Sequence, residues 1–344
     1  MIAVMAFTRR GRDIGEKLAS GLSGRLYTYY KYAGDEEAFS DVNKLTQALF
    51  PQSEALIFVG AAGIAVRSVA PFLKSKLTDP AVVSVDEAGR FSVPLVSGHL
   101  GGANRLAQKI AALCGGTAVI STATDLNGVF AVDVFAADNG LLLTNKTLAK
   151  EISAALLNGE EAGFVSEYPA DGELPKGLTA SGAKLGIYVG ADSRKRPFMR
   201  TLQLSPKNLV LGVGCKKGTS AEAAENHLRQ TLEENGLRLE AVCALCSVEL
   251  KRGEPALSLL AEKYGWALSF YSAGDLQSLP GTFSGSDFVR EVAGTDNVCE
   301  RSAVAGSGGG RLLVKKTAGN GITVAVAEKN TGIAFGGDFS GCEF

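Results

Sequence analysis

His99 stands in the run Leu95-Val-Ser-Gly-His-Leu-Gly-Gly-Ala-Asn104 and is one of two histidines among 344 residues. An imidazole can take or give a proton near neutral pH. Backbone amides left open at a glycine-rich strand-to-helix turn, helped by the helix dipole, can hold an oxyanion or a carboxylate. His99 is therefore a candidate acid or base, and Gly98, Gly101, Gly102 and Asn104 are candidate ligand contacts. The same glycines also have a purely conformational reading, in which they supply only the freedom the turn needs. Two carboxylates complete a candidate catalytic set. Glu87, preceded by Asp86, could orient His99 or a water, although Asp86-Glu-Ala-Gly-Arg90 also reads as a hairpin turn. Asp125 ends Ser121-Thr-Ala-Thr-Asp125, just past an expected strand end where α/β proteins gather ligands, and Thr122 and Thr124 share that place. The chain has no GxSxG elbow, which favours direct attack by water over a serine nucleophile.

Further glycine turns extend the set. Gly60-Ala-Ala-Gly63 precedes Arg67, a possible carboxylate partner, with Lys76 a weaker one. Gly212-Val-Gly-Cys-Lys-Lys-Gly-Thr-Ser220 misses both nucleotide patterns: its third glycine comes one residue late for GxGxxG, and Thr219 follows Gly218 where a Walker lysine would stand. It remains an anion-receptive turn, with Gly214, Lys216, Lys217, Thr219 and Ser220 as candidate ligand contacts; a capped turn with two solvated lysines is the alternative. Glu249, Lys251 and Glu300 could form charged walls, Lys251 pairing with a ligand carboxylate, or else an ordinary set of surface ion pairs. His227, among Glu225, Asn226 and Arg229, reads as solvated helix surface. Cys243-Ala-Leu-Cys246 lies in an apolar run with no second pair nearby and reads as two buried thiols.

The elements that would position these residues alternate. Strand-like runs at 2–7, 25–30, 55–59, 81–85, 92–96 and 118–121 interleave with helical patterns at 14–22, 39–50, 64–73 and 103–113, the signature of a layered α/β domain. The polar turn at 86–90 joins two adjacent strands, so a hairpin is expected before the glycine loop and the sheet must be mixed. After Asp125 the pattern changes: a helix at 148–157 is followed by a stretch at 160–200 broken by Gly and Pro with short strands only, which predicts a small irregular middle unit with a linker at 205–207. A second α/β pattern runs from 206 to 330. The expected division is thus 1–130, 131–205, 206–330 and a tail at 331–344. Two anion-receptive turns in separate α/β domains point to a ligand with several negative groups lying between them.

Composition bounds the partners. Apolar residues make up 46% and the net charge is −1, so nothing calls for nucleic acid or a charged membrane. The N-terminal apolar run is only strand-length, and arginines follow it rather than precede it, unlike a secretory signal. Six scattered cysteines fit a reducing cytosol, and the expected location is cytoplasmic.

The chain resembles the CbiG family, the cobalt-precorrin-5A hydrolases of anaerobic cobalamin biosynthesis. The resemblance rests on Gly60–Arg67, Asp79-Pro80, Val85–Glu87, Ser97–Asn104 and Ser121–Asp125, then on Leu211–Ser220, Ser247–Lys251 with Glu254, and Val298–Glu300, in that order and spacing. It implies two α/β domains around a variable middle. It also implies an activity that opens a δ-lactone on a cobalt-containing corrin precursor and releases acetaldehyde. No cofactor and no protein-bound metal are implied, since the substrate carries its own cobalt, and contact with neighbouring pathway enzymes is possible on the same ground. Two rivals stay open at this point: a nucleotide-dependent enzyme, and a non-catalytic tetrapyrrole carrier in which His99 would be an axial cobalt ligand.

Overall fold

The computed structural model describes residues 1–75, 78–98, 101–121, 129–319 and 321–335, with Phe288 described in its backbone alone. The chain divides into two compact units, Met1–Val134 and Phe135–Phe344. His99, Lys76, Thr122, Thr124 and Asp125 lie outside the described residues.

The first unit opens with β1 (Ile2–Ala6), α1 (Arg9–Gly21), β2 (Arg25–Tyr29), β3 (Glu37–Phe39), α2 (Val42–Leu49), β4 (Ala55–Val59) and α3 (Ala62–Val69). It continues with β5 (Ala81–Val85), β6 (Phe91–Val96), α4 (Ala103–Cys114) and β7 (Thr117–Ala118). These strands form one sheet in the order β3-β2-β1-β4-β5-β6-β7. Continuous apolar runs such as Ala55–Val59 suit strands covered on both faces, and all five residues of β4 and of β5 are buried. Alternate side chains serve opposite layers. Val4, Ile57 and Val83 meet Leu18 of α1 and Ile110 of α4, while Met5, Phe58 and Val82 meet Leu49 of α2 and Val69 of α3. Strands β1 to β5 are parallel; the expected hairpin then reverses the chain, so β6 is antiparallel to β5 and β7 follows β6.

Helix α5 (Val132–Asp138) leads on to β8 (Leu141–Leu143), α6 (Lys146–Leu157), β9 (Ala162–Ser166), β10 (Ala170–Asp171), β11 (Leu178–Thr179), β12 (Leu185–Val189) and β13 (Arg200–Pro206). The middle region is better ordered than its composition foretold: β11-β9-β12-β13-β8 make a five-stranded mixed sheet. Its glycines mislead because they serve packing rather than interruption. A Cβ on Gly163 or Gly186 would lie 2.1 or 2.4 Å from the Phe198 ring, so both strands need bare backbone beneath that ring. Of the expected linker at 205–207, only Lys207 is exposed. Strand β13 runs through Pro206, its final residue, and Ser205 is buried in pairing with Leu142 of β8.

The chain then forms β14 (Leu209–Cys215), α7 (Ala221–Glu234), β15 (Val242–Val248), α8 (Pro255–Tyr264), β16 (Ala267–Tyr271), α9 (Ala273–Ser278), α10 (Asp287–Ala293) and α11 (Cys299–Gly306). Strands β17 (Arg311–Gly319), β18 (Ile322–Glu328) and β19 (Ile333–Ala334) follow. The sheet order is β16-β15-β14-β18-β17, with β18 antiparallel to both its neighbours. Middle and C-terminal regions are tied directly. Tyr168 donates its hydroxyl to the buried Glu328 at 2.9 Å, Arg311 donates to the same carboxylate at 2.7 Å, and β19 pairs with β10. Residues 331–335, expected as the start of a tail, therefore contribute a strand to the middle region.

Candidate functional site

In the first unit the candidates fall into two groups. Strands β1, β4 and β5 end together, and Thr8, Gly60 and Glu87 follow those ends. Thr8 caps α1 by accepting from Gly11 N at 3.0 Å and donates its hydroxyl to Glu87 at 2.9 Å. Gly60 donates its amide to Val85 O at 2.8 Å, while Gly63 and Arg67 lie exposed on α3. Among the described residues Arg67 has no ion-pair partner. Asp86 is occupied by the turn itself, accepting from the amides of Ala88, Arg90 and Phe91. Burial alone would raise its carboxyl, but those bonds and Arg90 hold it below the ordinary range.

The glycine turn lies at the other end of β5. Because the hairpin reverses the chain, β6 ends beside Val82, and Ser97 donates its hydroxyl to Asp79 O at 2.9 Å. Asp79 in turn accepts from the amides of Lys74 and Ser75, which accounts structurally for the Asp79-Pro80 pair. Gly98 accepts from Asn104 N at 3.0 Å, and the largely buried Asn104 lies in the first turn of α4. Gly102 caps that helix with φ +78°. Gly101 is held against Ser97, where a Cβ would lie 2.2 Å from the serine Cβ. Gly98 and Gly101 adjoin the start of β5, whereas Glu87 follows its end; the expectation that Glu87 orients His99 falls on a residue outside the described ones.

In the second unit a cavity of ≈ 770 Å³ opens beside the ends of β14 and β17. Lys216, Lys217, Lys251 and Lys316 line it. Apolar wall is supplied by Val248 and Leu250, by Val289 and Val292 of α10, and by Val298. No aspartate or glutamate lines it among the described residues. Leu250 and Val292 are each 60% exposed, so the wall continues outward as apolar rim. Two thiols, Cys215 and Cys299, also face it; burial pushes both up, Cys299 to about 11, which keeps them protonated and poor nucleophiles.

The glycine turn at 214–220 divides its labour. Gly214, Lys216 and Lys217 reach the cavity. Thr219 instead donates to Lys216 O at 2.8 Å, and Ser220 caps α7 by accepting from Ala223 N at 3.2 Å; neither lines the cavity. Glu254 braces the turn from outside, accepting from Gly218 N at 3.1 Å and from Lys251 at 3.4 Å. The Gly218 amide is the main reason its carboxyl sits low, with Lys251 adding to it.

Glu300, expected as a charged wall of the ligand cleft or as a surface ion pair, is fully buried and does not line this cavity. Its oxygens accept from Ser284 N at 2.9 Å, Ser284 Oγ at 2.8 Å and Lys316 N at 2.8 Å. Burial would raise this carboxyl, yet the bonds from Lys316 and Ser284 outweigh it and keep the group ionised. Lys316 and Asn297 are cavity residues that sequence reasoning missed. Asn297 accepts from Glu300 N at 2.8 Å, and its spacing in Asn297-Val-Cys-Glu300 resembles a helix-capping pattern that could have marked it. Lys316 sits in a strand whose sequence gives no sign of the irregularity that turns it. His227, expected as solvated surface, is half-buried, with Nε2 3.3 Å from Thr317 Oγ1. Cys243 and Cys246 are free thiols in β15, Cys246 pushed up to about 12 by burial. Among the described residues no three His, Cys, Asp or Glu side chains group as a metal site, and no helix is long and apolar enough to cross a membrane.

The C-terminal region is thus an α/β frame with an apolar-walled cavity edged by lysines. The chain belongs to the cobalamin synthesis G (CbiG) family: its N-terminal model matches residues 44–125, the cobalamin biosynthesis central region 130–206, and the C-terminal model 209–327. A cobalt-precorrin-5A hydrolase of Priestia megaterium is 34% identical over 358 residues, covering 94% of either chain. That of Salmonella typhimurium is 32% identical, covering 94% of this chain and 97% of its own. A solved cobalamin biosynthesis protein G homolog from Sulfolobus solfataricus is 21% identical, with a TM-score of 0.42 over 95% of this chain and 96% of that one.

Proposed function

We propose that this cobalamin-biosynthesis hydrolase acts on cobalt-precorrin-5A, opening its δ-lactone and releasing acetaldehyde to give cobalt-precorrin-5B. The observation that carries the reading is the 34% identity to a cobalt-precorrin-5A hydrolase over 94% of the chain. The cavity supports it, because a corrin precursor is an apolar ring edged with acetate and propionate arms, and apolar wall with a lysine rim matches both parts.

The chemistry has two steps. Water adds to the lactone carbonyl, the ring C–O bond breaks, and a carboxylate and an alcohol result. Loss of that alcohol's proton then lets its oxygen form the aldehyde carbonyl while the adjacent C–C bond breaks, leaving the electron pair in the conjugated macrocycle. One acid/base group can serve both steps, and we assign it to His99, with Asp125 as its carboxylate companion and the Gly101 and Gly102 amides as donors to the oxyanion. Thr122, Thr124 and Gly98 are assigned to substrate contact. Glu87 is left out, since it is bonded to Thr8 beyond the opposite end of β5 from Gly98. Cobalt enters and leaves with the substrate in this scheme, and the protein supplies no cofactor. Anaerobic incubation of purified protein with cobalt-precorrin-5A, trapping acetaldehyde as its hydrazone, tests the reading. One equivalent of acetaldehyde per macrocycle is expected; a consumed lactone without acetaldehyde would limit the activity to lactone opening.

A further inference from the structure

We propose that the cavity of the C-terminal region is the subsite for the carboxylate-bearing edge of a tetrapyrrole, that Lys316 is one of its carboxylate partners, and that buried Glu300 is the positioning residue that aims Lys316. The identity of the macrocycle rests on the hydrolase reading; the ligand class, a flat apolar ring with several carboxylates, rests on the cavity.

Charge complementarity is the first ground. Four lysines and no carboxylate line the cavity among the described residues, and only Lys251 has an ion-pair partner there, Glu254. Lys217 is offset only through space by the same Glu254, and Lys216 and Lys316 have no ion-pair partner among the described residues, so net positive charge stands beside apolar surface. Such an arrangement favours an amphiphilic anion over a phosphate, which would gain nothing from Leu250 and Val292.

The backbone of β17 is the second ground. Its nine residues pair with the seven of β18, and the register slips twice, between Leu312 and Val314 and again between Val314 and Thr317. Each slip is a bulge that places one extra residue on β17, and bulges turn side chains away from the regular alternation. Lys316 falls in the second one. Its amide, which faces no ladder partner there, donates to Glu300 at 2.8 Å, while the side chain lines the cavity. The other Glu300 oxygen holds Ser284 N at 2.9 Å, on the segment leading into α10, whose Val289 and Val292 form the apolar wall. One buried carboxylate therefore fixes the charged rim and the apolar wall relative to each other. A carboxylate buried for packing alone would carry a large desolvation cost with no return.

The test uses the full-length protein and uroporphyrin III, an octacarboxylate tetrapyrrole, titrated by fluorescence at low and high salt. Replacing Lys316→Met should weaken binding about tenfold at low salt and flatten its salt dependence, and Lys316→Arg should restore it. Glu300→Gln should weaken binding in the same direction and raise KM for acetaldehyde release more than it lowers kcat. A merely structural Glu300 would instead lower the folded fraction and leave the KM of the survivors alone. Should Glu300→Gln fail to fold, the Lys316 pair decides. Uroporphyrin binding equally well to wild type and Lys316→Met, or not at all to wild type, overturns the subsite. Intact, Lys316-dependent uroporphyrin binding without acetaldehyde from the authentic substrate overturns the hydrolase reading and leaves the subsite standing.

Discussion

The tightest constraint on the C-terminal site is the approach of α11 to β14, and Gly212→Ala tests it. A Cβ at position 212 would lie 1.8 Å from Cys299 O, 2.5 Å from Ala303 N and 2.9 Å from Ala303 Cβ. Ordinary contact starts near 3.4 Å, so the helix would have to retreat by about 1.6 Å, and two of the three obstacles are backbone that cannot rotate aside. Overpacking of this kind costs about 3 kcal/mol or somewhat more. The opposing gain is the smaller conformational freedom of alanine in the unfolded chain, about 0.4–1 kcal/mol. Overpacking wins, leaving a net loss of about 2 kcal/mol or more. With a urea dependence near 3 kcal/mol/M, the midpoint should fall by about 0.7 M. Gly253→Ala is the control, because nothing lies within 4 Å of a Cβ there, and its midpoint should stay within about 0.3 M of wild type. Glu300 rides on the displaced helix, so tetrapyrrole binding should weaken together with stability. A Gly212→Ala midpoint no lower than that of Gly253→Ala would refute the reasoning.

Other expectations follow from named contacts. Tyr168→Phe removes a hydrogen bond to the buried Glu328 carboxylate and should cost about 1.5–3 kcal/mol in urea unfolding; a change under about 0.5 kcal/mol would deny that bond any weight. Glu225 is held at about 2 by hydrogen bonds from Lys263 and Tyr264, then Arg229, so its contribution is present above its usual 4.5 and disappears as pH falls toward 2. Thermal melts of Glu225→Gln should accordingly lie below wild type near pH 6 and converge with it near pH 2; parallel curves would contradict the assignment. His99→Gln should slow single-turnover acetaldehyde release by about 100-fold or more, and an undiminished rate would remove His99 from the mechanism.

The first sheet was legible because its central strands are apolar on both faces, and the hairpin at 86–90 was legible from its polar turn. A further consequence follows from the hairpin rather than from either local stretch: once β6 reverses, Glu87 and Gly98 leave opposite ends of β5. In the middle region glycine was read as interruption, since a sequence does not reveal that Phe198 will lie across Gly163 and Gly186. The lysines at 216, 217 and 251 stood out through their setting in turns. Lys316 did not, because a bulge depends on the count of residues in a partner strand that the local sequence never specifies. Glu300 was noticed and misplaced: charge alone read as surface, while the Ser284 and Lys316 amides that make burial tolerable lie 16 positions away on either side.

The pairing of β10 with β19 bears on the order in which the chain is made. Ala170 waits for Ile333, and the rings of Phe135 and Phe164 wait for Phe335, which stacks at 5.4 Å on the first and meets the second edge-on at 4.9 Å. A nascent chain leaving the ribosome can assemble the strands of the middle sheet long before that closing segment emerges. Until it does, two aromatic rings and a strand edge stay open to water or to another chain. Truncation after residue 330 would make this interval permanent, and the shortened protein should accumulate in aggregates when synthesised, even though every residue lining the C-terminal cavity is still present.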